Sequence, residues 1–237
     1  MPFAMEEILL ECLELAEFTG DETVMVIGLA PAIEIPLTIS RLARGKLIVL
    51  QGDWDFGIDA SALHPRDRTR VELLNLKSNE VELEEAVDRV ISIGVMGAYA
   101  DKLDVYKRLF RALKPGGLFV LDMGAPENMA SIWAVARQVI PNFGDHFFFT
   151  YQNEEEATRD LISAGFIDIN VSIVPAPMEI MSPDLFMAFV KRIFLSQVLS
   201  DFPAETADAL EKEFFGQLGT GVIDFVRLRV RARRPVS

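Results

Sequence analysis

The chain has 237 residues, half of them hydrophobic, and a formal net charge of -13. That length and apolar content fit one large domain with a substantial buried core, and the excess of acid argues against non-specific nucleic-acid binding, whose affinity rests on phosphates neutralised by Lys and Arg. The single cysteine, Cys12, excludes an internal disulfide framework and fits a buried thiol in a reduced, cytoplasmic setting.

The opening stretch "MPFAMEEILLECLELAEF" carries acids where a signal peptide needs basic residues, so secretion is not expected. Met5, Ile8, Leu9, Cys12, Leu13 and Ala16 fall at helical spacing and predict an amphipathic helix over 5–18, stopped by Gly20 and Asp21. "TVMVIGLA" reads as a buried strand of the parallel-sheet kind. A helix is expected over Ala32 to Ala43, although Pro36 is tolerable only in a first turn. "KLIVL", "RVELLNL" and "RVISIGVM" read as three further strands, with helical character in "EVELEEAV" between the last two.

"DKLDVYKRLFRALKPGG" is the clearest element. Leu103, Tyr106, Leu109, Phe110 and Leu113 form one apolar stripe behind an N-cap at Asp101. Pro115 cannot continue the helix, and the glycines supply the left-handed turn into strand "LFVLDM". An aromatic-rich segment over 124–150 follows, then helix "NEEEATRDLISAGF", strand "IDINVSIV", an inserted helical region over 183–216 and a last strand, "VIDFVRLRVRARR". Strands alternating with helices predict a doubly wound α/β sheet whose ligand sits beyond the carboxyl ends of the strands.

The longest apolar run, Leu185 to Leu199, is broken by Lys191 and Arg192 and is shorter than the roughly 20 apolar residues of a membrane-spanning helix, so no membrane span is expected. A helix apolar nearly all round is buried, or covered by a partner or ligand. Packing on a sheet edge, a protein partner and homo-oligomerisation through this helix all fit.

"YKRLFRALKPGGLFVLDM" resembles the fourth helix, turn and fifth strand of the class I, Rossmann-like S-adenosylmethionine-dependent methyltransferases. "EEEATRDLISAGFIDINVSIV" is similar to the approach to that family's sixth strand, and the ending "RARRP" is similar to its last strand. The likeness runs in order from Gly20 to Pro235. It implies a seven-stranded sheet in a single domain over 1–237, S-adenosylmethionine as cofactor, and a helical lid over 176–216 covering a small, partly apolar acceptor.

The resemblance also marks the cofactor positions. The family's first motif is an acid followed by G-x-G-x-G; the matching residues here are Val26, Gly28, Ala30 and Ala32. The alanines keep the loop small, but a position requiring positive φ would cost alanine about 1–2 kcal/mol. Pro31 restricts Ala30 as well, so the loop is expected to follow its own path. Gln51 falls where the second motif has a ribose-binding acid, with Asp53 as a substitute, and Asn75 or Lys77 stands near the third-motif acid. Glu34 is placed to replace the missing first-motif acid, and backbone groups from Gly94 to Tyr99 complete the site. Each lost charge-assisted hydrogen bond would weaken binding by roughly 1.5–3 kcal/mol. Two readings follow: a divergent methyltransferase, or a methyltransferase-like protein with a degenerate motif that binds a ligand or a protein without methylating.

Methyl transfer needs alignment more than a base. His146, in "GDHFFFTYQ", and Tyr99 are the candidate acceptor-contacting, catalytic residues, whereas His64 before Pro65 reads as a turn residue. The chain lacks a P-loop, a "GxSxG" elbow and an "NPPY" signature. Asp53, Asp55 and Asp59 have no convergent partners to make a metal site. Arg227, Arg229, Arg231 and Arg233 share one strand face by period-two alternation, fitting either an anionic partner or a charge-protected edge strand.

Overall fold

The computed structural model describes residues 3–52, 61, 63–146, 149–219 and 221–236. In chain order the elements are α1 (Phe3–Leu15), β1 (Thr23–Ile27), α2 (Pro31–Ile39), β2 (Lys46–Leu50), β3 (Val71–Leu74), β4 (Val87–Ile93), α3 (Lys102–Ala112) and β5 (Leu113–Gly124). Next come α4 (Ala130–Val139), α5 (Phe143–His146), α6 (Glu154–Ala164), β6 (Ile167–Pro175), β7 (Met178–Glu179) and α7 (Pro183–Val190). The chain ends with α8 (Ser196–Leu199), α9 (Ala204–Gln217), β8 (Val222–Ile223) and β9 (Val226–Arg233).

These elements form two compact units. One gathers Pro2–Ala125, Thr150–Val174 and Arg227–Ser237; the other gathers Pro126–Phe149 and Pro175–Val226. The first holds a seven-stranded sheet in the order β3-β2-β1-β4-β5-β9-β6. Strands β1 to β5 pair in parallel and β9 runs antiparallel to β5. Val24 to Ile27 and Leu47 to Leu50 are buried, as expected of parallel strands covered on both faces. Ile8, Leu9, Cys12 and Leu13 of α1 pack with Ile35 and Ile39 of α2 against Val24, Val26 and Ile91. Burial pushes the Cys12 thiol far up from its ordinary value, which leaves it an inert core side chain.

Local signals set several boundaries. The Asp101 carboxylate accepts from Asp104 N–H at 3.0 Å to start α3, and Val105, Tyr106 and Leu109 make its buried face. Gly116, at φ +78°, carries the "KPGG" segment through a register shift between Val87 and Arg89 of the neighbouring strand. Asn153 and Glu156 exchange side-chain bonds at the start of α6, a capping box, and Gly165 ends it at φ +104°.

Four expectations change. Helix α2 begins at Pro31, one residue early, and stops at Ile39; Pro36 lies inside it. Pro36 and Ala32 are both exposed, so the hydrogen bond that proline leaves unmade falls on the solvent side. "EVELEEAV" is not a helix. Glu80 closes a single 3-10 turn, and the N–H groups of Glu85 and Ala86 donate at 2.8 Å to the carbonyls of Arg111 and Ala112. Those end-of-helix carbonyls compete successfully with a local helix in a segment whose buried apolar residues, Val81 and Val87, stand at its two ends.

The last strand is split at Asp224 and Phe225, because β8 leaves to pair with β7. Finally, β9 is not an edge strand, since it lies between β5 and β6. Its arginines bind inside the unit: Arg227 and Arg229 to Asp122, Arg229 also to Glu11, Arg231 to Glu17, and Arg233 to Glu17 and Asp168. The four charges tie α1 and the neighbouring strands to β9, which accounts for their alternation.

The second unit has an aromatic core. Trp133 of α4 meets Phe194 edge-on at 4.5 Å, and Phe143 and Phe214 lie 5.9 and 6.1 Å from Phe194. Trp133 Nε1 donates to the Asn128 carbonyl at 2.6 Å. The apolar run from Leu185 to Leu199 forms α7, a π turn over Lys191–Leu195 and α8. Phe186, Phe189, Val190, Phe194, Leu195, Val198 and Leu199 are buried, so most of the greasy surface is consumed by this unit's own packing. Among the described residues no helix is long and apolar enough to cross a membrane.

Candidate functional site

Strand order reverses direction between β1 and β4, and a doubly wound sheet has its ligand crevice at such a point, beyond the carboxyl ends of the strands. The residues there are the loop after β1, the exit of β2 and the turn after β4. The β1 loop runs from Gly28 into the first turn of α2. None of Gly28 to Glu34 has positive φ, so Ala30, at φ -136°, carries no left-handed strain. That path explains how alanines occupy the loop.

Glu34 holds this path. It is 2% exposed, and its Oε1 accepts the Ala30 N–H at 3.0 Å. The helix has no side-chain cap at Ala30, so a carboxylate reaching back from inside the helix does that work, where the macrodipole favours negative charge. A Cβ added at Gly28 would lie 2.0 Å from Glu34 Oε1 and 2.3 Å from Oε2, so any side chain here would displace the Glu34 carboxylate. Glu34 Oε2 is buried without a hydrogen-bond partner. Burial pushes the Glu34 carboxyl from 4.5 up to about 7, opposed by the N–H groups of Ala30 and Leu29.

Opposite this loop, Gly94 turns with φ +79° and its N–H donates to the Asp122 carbonyl at 2.8 Å. A Cβ at Gly94 would lie 2.5 Å from Leu29 Cδ1. Leu29 therefore spans from the end of β1 to the end of β4. At the exit of β2, the N–H groups of Gln51 and Gly52 donate to the carbonyls of Leu74 and Leu76 at 2.9 and 3.1 Å. Gln51 is half-buried. Asp53, Asp55 and Asp59 lie outside the described residues. Ala32 is exposed.

Tyr99 is half-buried just past a 3-10 turn, Met96–Ala98. Its carbonyl accepts from Lys102 Nζ at 2.7 Å and from Thr150 Oγ1 at 2.8 Å, and Lys102 Nζ also donates to Thr150 Oγ1 at 2.6 Å. Lys102 is 3% exposed, and burial pushes its ammonium down to about 8. Sequence reasoning missed this lysine, because a Lys one place past an N-cap reads as solvated. It also missed Asp122, fully buried at the end of β5 with Arg227 Nη2 at 2.6 Å; no local pattern marks that pair, whose members are far apart in the chain.

Gly28, Glu34, Gln51, Gly94 and Tyr99 thus belong to the first unit. His146 belongs to the second, where Nδ1 lies 2.9 Å from Asp201 Oδ2 and the ring is 5.1 Å from Phe202.

No protein-family model matches the sequence, and no curated protein does. Solved structures match over nearly the whole chain. Phosphoethanolamine N-methyltransferase 2 of Haemonchus contortus, in complex with phosphomonomethylethanolamine and S-adenosylhomocysteine, is 17% identical with a TM-score of 0.59 over 98% of this chain and 53% of that one. The present chain therefore spans about half the length of the Haemonchus enzyme. Geranyl diphosphate C-methyltransferase of Streptomyces coelicolor is 14% identical, with a TM-score of 0.57 over 98% of this chain and 78% of that one. The [4+2]-cyclase SpnF is also 14% identical, with a TM-score of 0.63 over 98% and 82%.

The fold is that of the class I methyltransferases. In this methyltransferase fold the sequence likeness had placed the first-motif acid at Val26, which is a fully buried core side chain. The acidic residue nearest the loop is Glu34, in the first turn of α2. An orphaned buried carboxylate oxygen beside Gly28 fits a positively charged cofactor, and the small residues at 30 and 32 leave the loop narrow.

Proposed function

We propose that this chain is a divergent S-adenosylmethionine-dependent methyltransferase acting on a small, partly apolar acceptor. The observation that carries the reading is the buried Glu34 carboxylate, which keeps an acid in the loop after the first motif position has become Val26. When bound, the cofactor's sulfonium supplies the activated methyl group. Gly28, Ala30 and Ala32 give the loop its narrow profile, Glu34 sets its potential, Gly94 shapes the facing turn, and Gln51 with Asp53 serves the ribose. Tyr99, just past β4, contacts the acceptor; in the second unit His146 is the candidate, its imidazole oriented by Asp201. Alignment does most of the chemistry. An apolar acceptor is supported by the exposed Met181 and Leu185 of the helical unit. The geranyl diphosphate enzyme of Streptomyces provides a precedent on the same fold.

A second reading, a methyltransferase-like protein that binds a ligand or a protein partner without methylating, is favoured by one observation: Leu29 lies across the crevice on Gly94 while Glu34 takes the loop's Ala30 N–H. The cyclase SpnF illustrates that this fold is not tied to one reaction. Calorimetric titration with S-adenosylmethionine and S-adenosylhomocysteine separates the two. Micromolar binding abolished by Gly28→Arg is the expected result, and no binding at millimolar concentration would refute the methyltransferase reading.

A further inference from the structure

Glu34 is a buried carboxyl group at the crevice loop, 2% exposed. Its carboxylate is packed against Gly28, directly under the loop, and Oε2 has no partner. A buried charge acts on another charge through the protein at an effective dielectric far below that of water, so contact is not needed for the two to interact strongly. We infer that occupation of this crevice by a positively charged ligand expels a proton from Glu34, so that the site separates a sulfonium cofactor from its neutral thioether product in a pH-dependent way. The inference rests on the reading above that the crevice takes this cofactor. The event is a plain ionisation: the carboxyl O–H bond breaks, the electron pair stays on Glu34, the proton leaves to solvent, and no bond forms to the ligand.

The neighbourhood leaves Glu34 as the responsive group. On the elements packed against α2, Glu7, Glu11 and Glu14 of α1 are exposed and Glu6 is half-buried, Glu11 being engaged by Arg229, and Glu22 before β1 is held by Thr19 and Gly20. Lys46 lies at the opposite end of β2. At the crevice end of β5, Asp122 is neutralised by Arg227 and Arg229. Burial holds Glu34 at about 7, against the N–H groups of Ala30 and Leu29, so its proton is exchangeable near neutrality.

S-adenosylmethionine and S-adenosylhomocysteine share their ammonium and carboxylate groups and differ in the methyl group and the charge on sulfur; methyl packing does not titrate, so the change of their affinity ratio with pH isolates that charge. Calorimetry in paired buffers of different ionisation enthalpy, near pH 6 and near pH 8.5, reads both the ratio and the protons released. The preference for S-adenosylmethionine is expected to grow about tenfold from the lower to the higher pH, with proton release near pH 6 on binding S-adenosylmethionine only. Glu34→Gln is expected to bind both nucleosides with a flat ratio. A pH-independent ratio in the wild type, or a rise retained in Glu34→Gln, overturns the inference and leaves the proposed function standing. Failure of both nucleosides to bind overturns both. The proton count on the wild type decides the matter even if the variant does not fold.

Discussion

Replacing Glu34 with Gln should remove a pH dependence from the stability of the protein itself. In the unfolded chain Glu34 ionises at its ordinary value of 4.5, whereas in the folded protein burial delays ionisation to about 7. Between those values the native state binds more protons than the unfolded state. The contribution is therefore fully present below 4.5 and is lost as pH rises through 7. Between about pH 5 and pH 8 the loss integrates to roughly 2–3 kcal/mol. Gln keeps a carbonyl oxygen for the Ala30 N–H and has no charge to desolvate. Urea unfolding of both proteins, followed by circular dichroism across that pH range, cancels every other titrating group in the difference. Wild type should lose about 2–3 kcal/mol relative to Glu34→Gln from the acid to the alkaline end. Curves that stay parallel would show that Glu34 is solvated or paired in solution, and would remove the basis for its role in the crevice.

Other outcomes follow from contacts in the same unit. Gly28→Ala should cost about 1–3 kcal/mol by overpacking, since the new Cβ would fall 2.2 Å from Glu34 Cδ. In a Glu34→Ala background that cost should shrink to a few tenths of a kcal/mol, and equal costs in both backgrounds, read by urea unfolding, would refute the contact. Arg227→Ala should destabilise the protein by about 3 kcal/mol, the lower end for breaking a buried pair, because Arg229 still reaches Asp122 at 3.2 Å; a melting temperature unchanged by the substitution would count against a buried pair.

Much of the fold was legible because it was written locally. The runs "TVMVI" and "KLIVL" could bury themselves only as strands covered on both faces. Asp101 and Asn153 mark helix starts, and Gly116 and Gly165 supply left-handed turns, through bonds and torsions that span at most a few residues. The seven-stranded sheet and its likeness to the class I methyltransferases follow from that order of elements. The helix expected in "EVELEEAV" failed because its N–H groups found the end of α3. The arginines of β9 were misread for a related reason: alternation along a strand says which side chains share a face, not whether that face is an edge.

Within the crevice, the sequence resemblance pointed to Gly28, to the apolar Val26 and to Glu34 as residues to look at. Only the tertiary structure put the Glu34 carboxylate against Gly28, buried Asp122 with Arg227, and laid Leu29 across Gly94. Hydrogen-bonded turns and apolar periodicity are properties of neighbours in the chain, so composition and spacing carry them. The burial of a charge depends on which distant segments close over it, and that is decided when the sheet assembles.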